Sequence, residues 1–181
     1  MDHRTRLLDA AERLFYERGV RAVGVDEVRA ASGVPLKRLY QCFPSKEELV
    51  VAYLRRRDQR WRASLAESVA RRDDRVPAVF DWLENWFREP GFRGCAFVNS
   101  FGELGATSDA VARTAKEHKD ALRHYLVDLV RGFAADPEEL GEQLLLLVEG
   151  AITSAAVRGD FGAARRAREV AEILLARAGG E

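Results

Sequence analysis

Apolar residues recur along the chain at the spacing of amphipathic helices, and no segment shows sustained alternation of apolar and polar residues. The apolar positions of the first predicted helix, roughly residues 4–18, are Leu7, Leu8, Ala11, Leu14 and Phe15. These positions form one stripe along a helical surface. Gly19 follows where helices commonly end. The pattern predicts an all-α protein.

Two short helices and one long helix are predicted next. The first covers residues 25–32, and Gly33 ends it. The second covers residues 36–42, directly after Pro35, a residue that is favoured at the start of a helix. Ser45, with Glu48 three residues later, forms a capping box that opens the long helix. This helix extends to about residue 71 or is kinked near residue 57.

Five further helices are predicted at residues 75–88, 94–105, 108–133, 138–158 and 161–178, separated by Gly, Pro and Asp. Uninterrupted apolar runs such as residues 144–148 are far shorter than the roughly 18 residues of a membrane-spanning helix. The first 15 residues are charged throughout and lack the apolar region of a secretion signal. We therefore expect a cytoplasmic protein, with Cys42 and Cys95 as free thiols.

Composition fits a folded protein, because 47% of the 181 residues are hydrophobic and 32% are charged. The net charge of zero hides an asymmetry. Residues 1–62 carry 14 Lys and Arg against 9 Asp and Glu, a balance of +5, and the remainder carries −5. This asymmetry is weak support for an anionic partner of the N-terminal segment.

The two short helices and the turn between them match a helix-turn-helix, in which the second helix can enter a DNA major groove. The spacing predicts that Val28, Ala31, Leu39 and Phe43 face inward. The predicted outward-facing residues of the second helix are Lys37, Arg38, Tyr40 and Gln41. Lys and Arg can neutralise phosphates or donate to guanine, and Gln can pair bidentately with adenine. Lys46 begins the next helix, where free backbone N–H groups also attract a phosphate.

Residues 7–50 resemble the DNA-binding domain of the TetR family of bacterial transcriptional repressors. The matching positions are Ala11, Leu14, Phe15, Gly19, Val25, Val28, Ala31, Gly33, Val34, Leu39, Tyr40, Phe43, Lys46 and Leu49. The resemblance implies an all-helical homodimer that binds a double-stranded DNA operator. It implies a helix-turn-helix DNA-binding domain at residues 1–48 and an effector-binding and dimerisation domain at residues 49–181. It also implies groove contacts from Lys37, Arg38 and Gln41 and phosphate contacts from Tyr40 and Lys46.

A small-molecule pocket is predicted where polar residues interrupt an aromatic-rich region, since ligand pockets combine apolar walls with a few polar groups. Its candidate residues are Trp82, Trp86, Phe97, Asn99, Phe101, His118, Leu122 and Tyr125. A small apolar or aromatic effector would suit such walls. The alternative is that these residues form an ordinary core, in part along a predicted stripe from Val111 to Phe133.

The last two predicted helices combine apolar and small residues, which suits a four-helix interface across a two-fold axis. The alternative is that they pack only within one subunit. We find no motif of catalytic or metal-binding chemistry, so no cofactor, metal or enzymatic activity is predicted. The sequence thus indicates a DNA-binding repressor that an effector releases from its operator. The alternative from another class is a helical-bundle enzyme or small-molecule carrier without DNA binding.

Overall fold

The computed structural model describes residues 2–178, and this part of the chain contains nine α-helices and no β-strand. The helices are α1 (His3–Arg18), α2 (Val25–Ser32), α3 (Leu36–Cys42), α4 (Lys46–Ala70), α5 (Arg75–Phe87), α6 (Ala96–Leu104), α7 (Asp109–Val130), α8 (Pro137–Arg158) and α9 (Ala163–Ala178). The all-α prediction is confirmed. Helices α2 and α3 have the predicted bounds, and α4 is one continuous helix of 25 residues.

The chain divides into two compact units, each built from two separate stretches. The first unit contains the chain up to Arg60 together with Ala96–His118. The second contains Trp61–Cys95 and the chain from Lys119 onwards. The division falls inside α4 and α7, so each of these helices contributes residues to both units.

The core of the first unit forms around α1, which packs on α2 and α3. All five residues of the predicted α1 stripe are buried. Phe15 packs against Tyr53 of α4 with 5.8 Å between the ring centroids. Ion pairs also join α1 to α4, since Arg56 contacts Asp9 at 2.8 Å and Glu12 at 2.6 Å.

In the second unit α8 packs on α9, and α5 packs against both. The buried residues of α8 are Leu140, Gly141, Leu144, Val148, Ala151, Ile152 and Ala155, which follow helical spacing. Among the described residues, α8 is the one helix that is both long enough and apolar enough to cross a membrane, by length and composition only. Only 39% of its most apolar window is buried, and it packs on two neighbouring helices, as core helices of globular proteins also do.

Two expectations about inward-facing residues need correction. Ala31 is exposed, whereas Ser32 is buried because its hydroxyl donates to Arg29 O and accepts from Val34 N in the turn. On the predicted stripe of α7, Val111, His118 and Leu122 are buried. Phe133 lies beyond the end of α7 and is 48% exposed, so the stripe ends before it.

Candidate nucleic-acid interface

The turn between α2 and α3 is held by local contacts. Gly33 ends α2 in a left-handed conformation with φ of 62°. Val34 is buried in the turn, and the Pro35 carbonyl accepts from the backbone N–H groups of Arg38 and Leu39. Pro35 has an extended conformation and opens α3 without a side-chain cap. The turn therefore sets the direction in which α3 begins.

One face of α3 is anchored in the core of the first unit. Leu39 and the following Phe43 are each only 1% exposed, as the spacing predicts. The four residues predicted to face outward, Lys37, Arg38, Tyr40 and Gln41, are all exposed. Tyr40 keeps 48% of its surface, so it is not a packing residue within this chain. The helix thus presents donors and a phenol on the side opposite its apolar anchor.

Two arginines of α1 hold the carboxyl ends of both helices of the motif. Arg6 Nη2 donates at 2.6 Å to the carbonyl oxygen of Ser32, which is the last residue of α2. Arg4 Nη1 donates to Cys42 O, the last residue of α3, at 3.1 Å, and its guanidinium lies 4.4 Å from the centre of the Phe43 ring. Carbonyls at a helix end lack partners within the helix and carry partial negative charge, so these cations stabilise both ends. Sequence reasoning missed both arginines.

Lys46 lies at the first turn of α4, and its ammonium group faces the loop between α1 and α2. Lys46 Nζ donates to Arg21 O at 3.4 Å, and the Arg21 backbone N–H donates to Glu103 Oε2 at 2.6 Å. Partial burial lowers the pKa of Lys46, although Glu103 and Glu27 oppose this effect. Glu103 belongs to α6, so a residue 82 positions away in sequence contacts this loop.

Helix α2 begins at a capping contact that Glu27 provides. The Gly24 backbone N–H donates to Glu27 Oε1 at 3.1 Å, and Arg18 forms an ion pair with Glu27 at 2.5 Å. Together the Gly24 N–H and Arg18 hold the pKa of Glu27 below its usual range. Ser45 caps α4 as predicted, because its hydroxyl accepts from the Glu48 backbone N–H at 3.1 Å.

The run Arg55–Arg57 on α4 mostly serves the packing of α1. Arg56 forms ion pairs with the carboxylates of Asp9 and Glu12 on α1. Arg57 pairs with Glu12 at 3.5 Å and stacks 3.7 Å from the centre of the Tyr16 ring. Neither arginine is a solvated side chain, because each keeps only 15% of its side-chain surface.

The eight predicted effector residues fall in both units. Trp82, Trp86, Leu122 and Tyr125 belong to the second unit, and Phe97, Asn99, Phe101 and His118 belong to the first. In the second unit the Trp82 and Trp86 rings stack at 5.7 Å, and Trp61 packs edge-on against both. Leu122 is buried, and Tyr125 is half-buried.

In the first unit the buried His118 stacks on Phe97 at 3.7 Å, and its Nδ1 lies 2.7 Å from Asp58 Oδ1. Asn99 and Phe101 are exposed. A cavity of about 490 Å³ also lies in this unit, between the start of α1, the end of α3 and α4. None of the eight residues lines that cavity, so effector binding by them stays a prediction.

Family models match both parts of the chain. The model of the tetR family of bacterial regulatory proteins matches residues 7–53. The model of the tetracyclin repressor-like C-terminal domain matches residues 73–171, more than half of the chain. The chain belongs to the TetR family. The α2–α3 motif lies within the match to the tetR family model and corresponds to the family's helix-turn-helix.

Solved TetR-family regulators share this fold. One from Streptomyces coelicolor is 28% identical, with a TM-score of 0.89 over 98% of this chain and 96% of its own. One from Streptomyces avermitilis is 30% identical, with a TM-score of 0.79 over 95% of this chain and 99% of its own. The transcriptional activator FasR of Mycolicibacterium smegmatis is 31% identical over 136 residues. That match covers 71% of this chain and 59% of FasR, so the chain spans less than two thirds of this relative's length.

Proposed function

We propose that the protein is a homodimeric repressor that places α3 of each subunit in a major groove of an operator. The observation that carries this proposal is the two-sided character of α3, which is anchored through Leu39 and exposed at Lys37, Arg38, Tyr40 and Gln41. Two such helices would lie about one DNA turn, roughly 34 Å, apart. In this proposal residues 1–48 bind DNA, and residues 49–181 bind the effector and dimerise, in the bacterial cytoplasm.

Dimerisation is proposed through α8 and α9 because both helices carry exposed apolar residues. Leu146 and Val157 on α8 are 72% and 79% exposed, and they share one helical face because eleven residues complete about three turns. Gly150 lies on the same face, and a Cβ added to it would have no atom within 4 Å. Val170 and Ile173 on α9 are 45% and 54% exposed. Apolar surface of this kind is typical of a protein–protein contact.

Sedimentation of two charge variants tests the dimer. Lys in place of Leu146 would put two like charges into a two-fold interface, and the protein should then sediment as a monomer. Phe133→Lys is the matched control, because Phe133 is 48% exposed but lies outside both helices. A Leu146→Lys protein that sediments like the wild type would contradict the proposed interface.

The sign of regulation is proposed from the C-terminal family model, which is described as repressor-like. The relative FasR is an activator, so family membership alone leaves both signs open. Transcription in vitro should fall when the protein is added, if the promoter contains an operator obtained by selecting bound sequences from a random DNA pool. A rise in transcript would make the protein an activator and contradict the proposal.

An effector would release the DNA by preferring a conformation in which the two α3 helices no longer match adjacent grooves. To change the released fraction from 1% to 99%, it must bind that conformation about 10⁴-fold more tightly. All three tryptophans lie together in the second unit, so a ligand that contacts Trp82 or Trp86 should change tryptophan emission. The test is a panel of small apolar and aromatic compounds, scored for both emission change and release of DNA. A panel without any compound that does both would leave the proposed effector class without support.

Salt dependence of DNA binding tests the proposed interface itself. The logarithm of the association constant should fall with the logarithm of salt concentration by about 0.9 for each phosphate contacted. Lys46→Ala should weaken binding to all sequences alike and reduce that slope by about 1. Gln41→Ala should instead relax preference at one base pair. A helical carrier would show no binding even in dilute buffer, and identical behaviour of the two variants would contradict the roles assigned.

A further inference from the structure

An exposed arginine lies between two buried valines in the loop that joins α1 to α2. Val20 and Val23 are buried, whereas Arg21 between them is exposed. The backbone of Arg21 is held on both sides, because its N–H donates to Glu103 Oε2 at 2.6 Å and its carbonyl accepts from Lys46 Nζ at 3.4 Å. These contacts fix the point from which the Arg21 side chain extends.

Most basic side chains near the N-terminus already have partners within the chain. Residues 2–60 contain 13 Lys and Arg. Within the described part of the chain, those whose side chains form no hydrogen bond or ion pair are Arg13, Arg21, Lys37 and Arg55. Of these four, Arg21 is the one whose backbone contacts Lys46, the residue proposed to bind a phosphate.

Arg21 and Lys46 bring two positive charges to the same edge of the first unit. The carboxylate of Glu103 offsets part of the charge of Lys46, but it binds the backbone of Arg21 and not its guanidinium. A guanidinium can donate to two phosphate oxygens at once. An exposed and unpaired arginine beside a phosphate-binding lysine therefore suits a second phosphate.

We propose that Arg21 binds a phosphate of the operator, next to the phosphate that Lys46 binds. The inference rests on the proposed function and extends the DNA interface to the loop between α1 and α2. Because the loop backbone is already held in place, binding has to order only the side chain, which lowers its entropic cost. A phosphate contact carries no sequence information, so Arg21 should strengthen binding to every sequence alike.

Salt titrations of DNA binding test the proposal, with the full chain of the wild type and of two single variants. The targets are a duplex selected by the wild type from a random pool and an unrelated duplex of the same length. Arg21→Ala removes the guanidinium but keeps the carbonyl that Lys46 contacts. One phosphate contact contributes about 0.9 to the salt slope, so at 0.1 M salt this variant should bind both duplexes about eightfold more weakly. The deficit should shrink as salt rises.

Arg13→Ala is the matched control, because Arg13 is also exposed and unpaired within the described residues but lies on α1, away from the loop. It should keep the salt slope of the wild type. A double variant, Arg21→Ala with Lys46→Ala, should lower the slope by about twice as much as either single substitution, since two phosphate contacts are lost.

Each outcome decides the inference. A lower slope and equal weakening on both duplexes in Arg21→Ala, with a normal slope in Arg13→Ala, would support it. An unchanged slope in Arg21→Ala, a loss confined to the selected duplex, or an equal loss in Arg13→Ala would overturn it and leave the proposed function standing. So would a double variant no weaker than Lys46→Ala, because Arg21 would then act through Lys46. A wild type that binds neither duplex would overturn both the inference and the proposed function.

Discussion

Gly33→Ala is the substitution that most directly tests how the turn before α3 is built. Gly33 has φ of 62° and ψ of 24°, and a Cβ added to it would lie 2.8 Å from Arg6 Nη2. Gly159 offers a matched control at the end of α8, with φ of 65° and ψ of 20° and no atom within 4 Å of its added Cβ. The backbone cost of alanine is therefore shared, and the Arg6 collision is specific to Gly33.

The magnitudes follow from these contacts. The left-handed conformation costs a residue with a Cβ roughly 1–2 kcal/mol, so Gly159→Ala should lower the free energy of unfolding by about 1 kcal/mol. At Gly33 the Arg6 guanidinium must also move and lose its bond to the Ser32 carbonyl. A hydrogen bond to a charged group contributes about 1.5–3 kcal/mol, and partial exposure places this one at the lower end. Gly33→Ala should therefore cost about 2–3 kcal/mol.

Urea unfolding followed by far-ultraviolet circular dichroism measures both variants on the same scale. Arg6→Met and the Gly33→Ala/Arg6→Met double variant complete a cycle. Because the two substitutions remove the same contact, their costs should add to more than the double variant loses. Equal costs of Gly33→Ala and Gly159→Ala would refute the reasoning, as would additive costs in the cycle.

Three further predictions use other contacts. Gly141→Ala should lower the free energy of unfolding by about 1–3 kcal/mol in a thermal or urea titration, because its Cβ would lie 2.3 Å from Val127 Cγ2. A stability gain would contradict this close approach. Glu103→Gln should speed amide hydrogen exchange at Arg21, whose N–H donates to that carboxylate; unchanged exchange would contradict it. Folding lowers the pKa of Glu27, so the ionised carboxylate stabilises the folded protein. This stabilisation is present above the ordinary pKa near 4.5 and is lost as pH falls. Glu27→Gln should thus be less stable than wild type at pH 7, and this difference should shrink in acid; a constant difference would exclude Glu27 as its source.

Helix positions were predictable because their signals are local. Gly33 ends α2, Pro35 opens α3 and Ser45 caps α4, and each acts within three residues of its own place in the chain. The inward position of Ala31 was predicted wrongly, because spacing on an eight-residue helix leaves the direction of its buried face poorly defined. Ser32 is buried in its place, and its hydroxyl bonds to Arg29 O and Val34 N.

Partners that are distant in sequence were not predictable. Arg6 binds the Ser32 carbonyl 26 positions away, and Glu103 binds the Arg21 backbone 82 positions away. The chain has 29 basic and 29 acidic residues, and no pattern along it indicates which of them meet. Within one helix, side chains three or four positions apart are neighbours, so such contacts can be predicted. The contact between Arg38 and Gln41, three positions apart, is of this kind.

The exposed face of α3 depends on residues that face away from it. An isolated seven-residue helix is too short to be stable in water, because nucleation costs more than its few hydrogen bonds return. The burial of Leu39 and Phe43 and the contact of Arg4 with the carboxyl end of α3 therefore supply its stability. None of these three residues is among those predicted to touch DNA. Substitutions on the exposed face can consequently change which sequence is bound while the position of the helix stays the same.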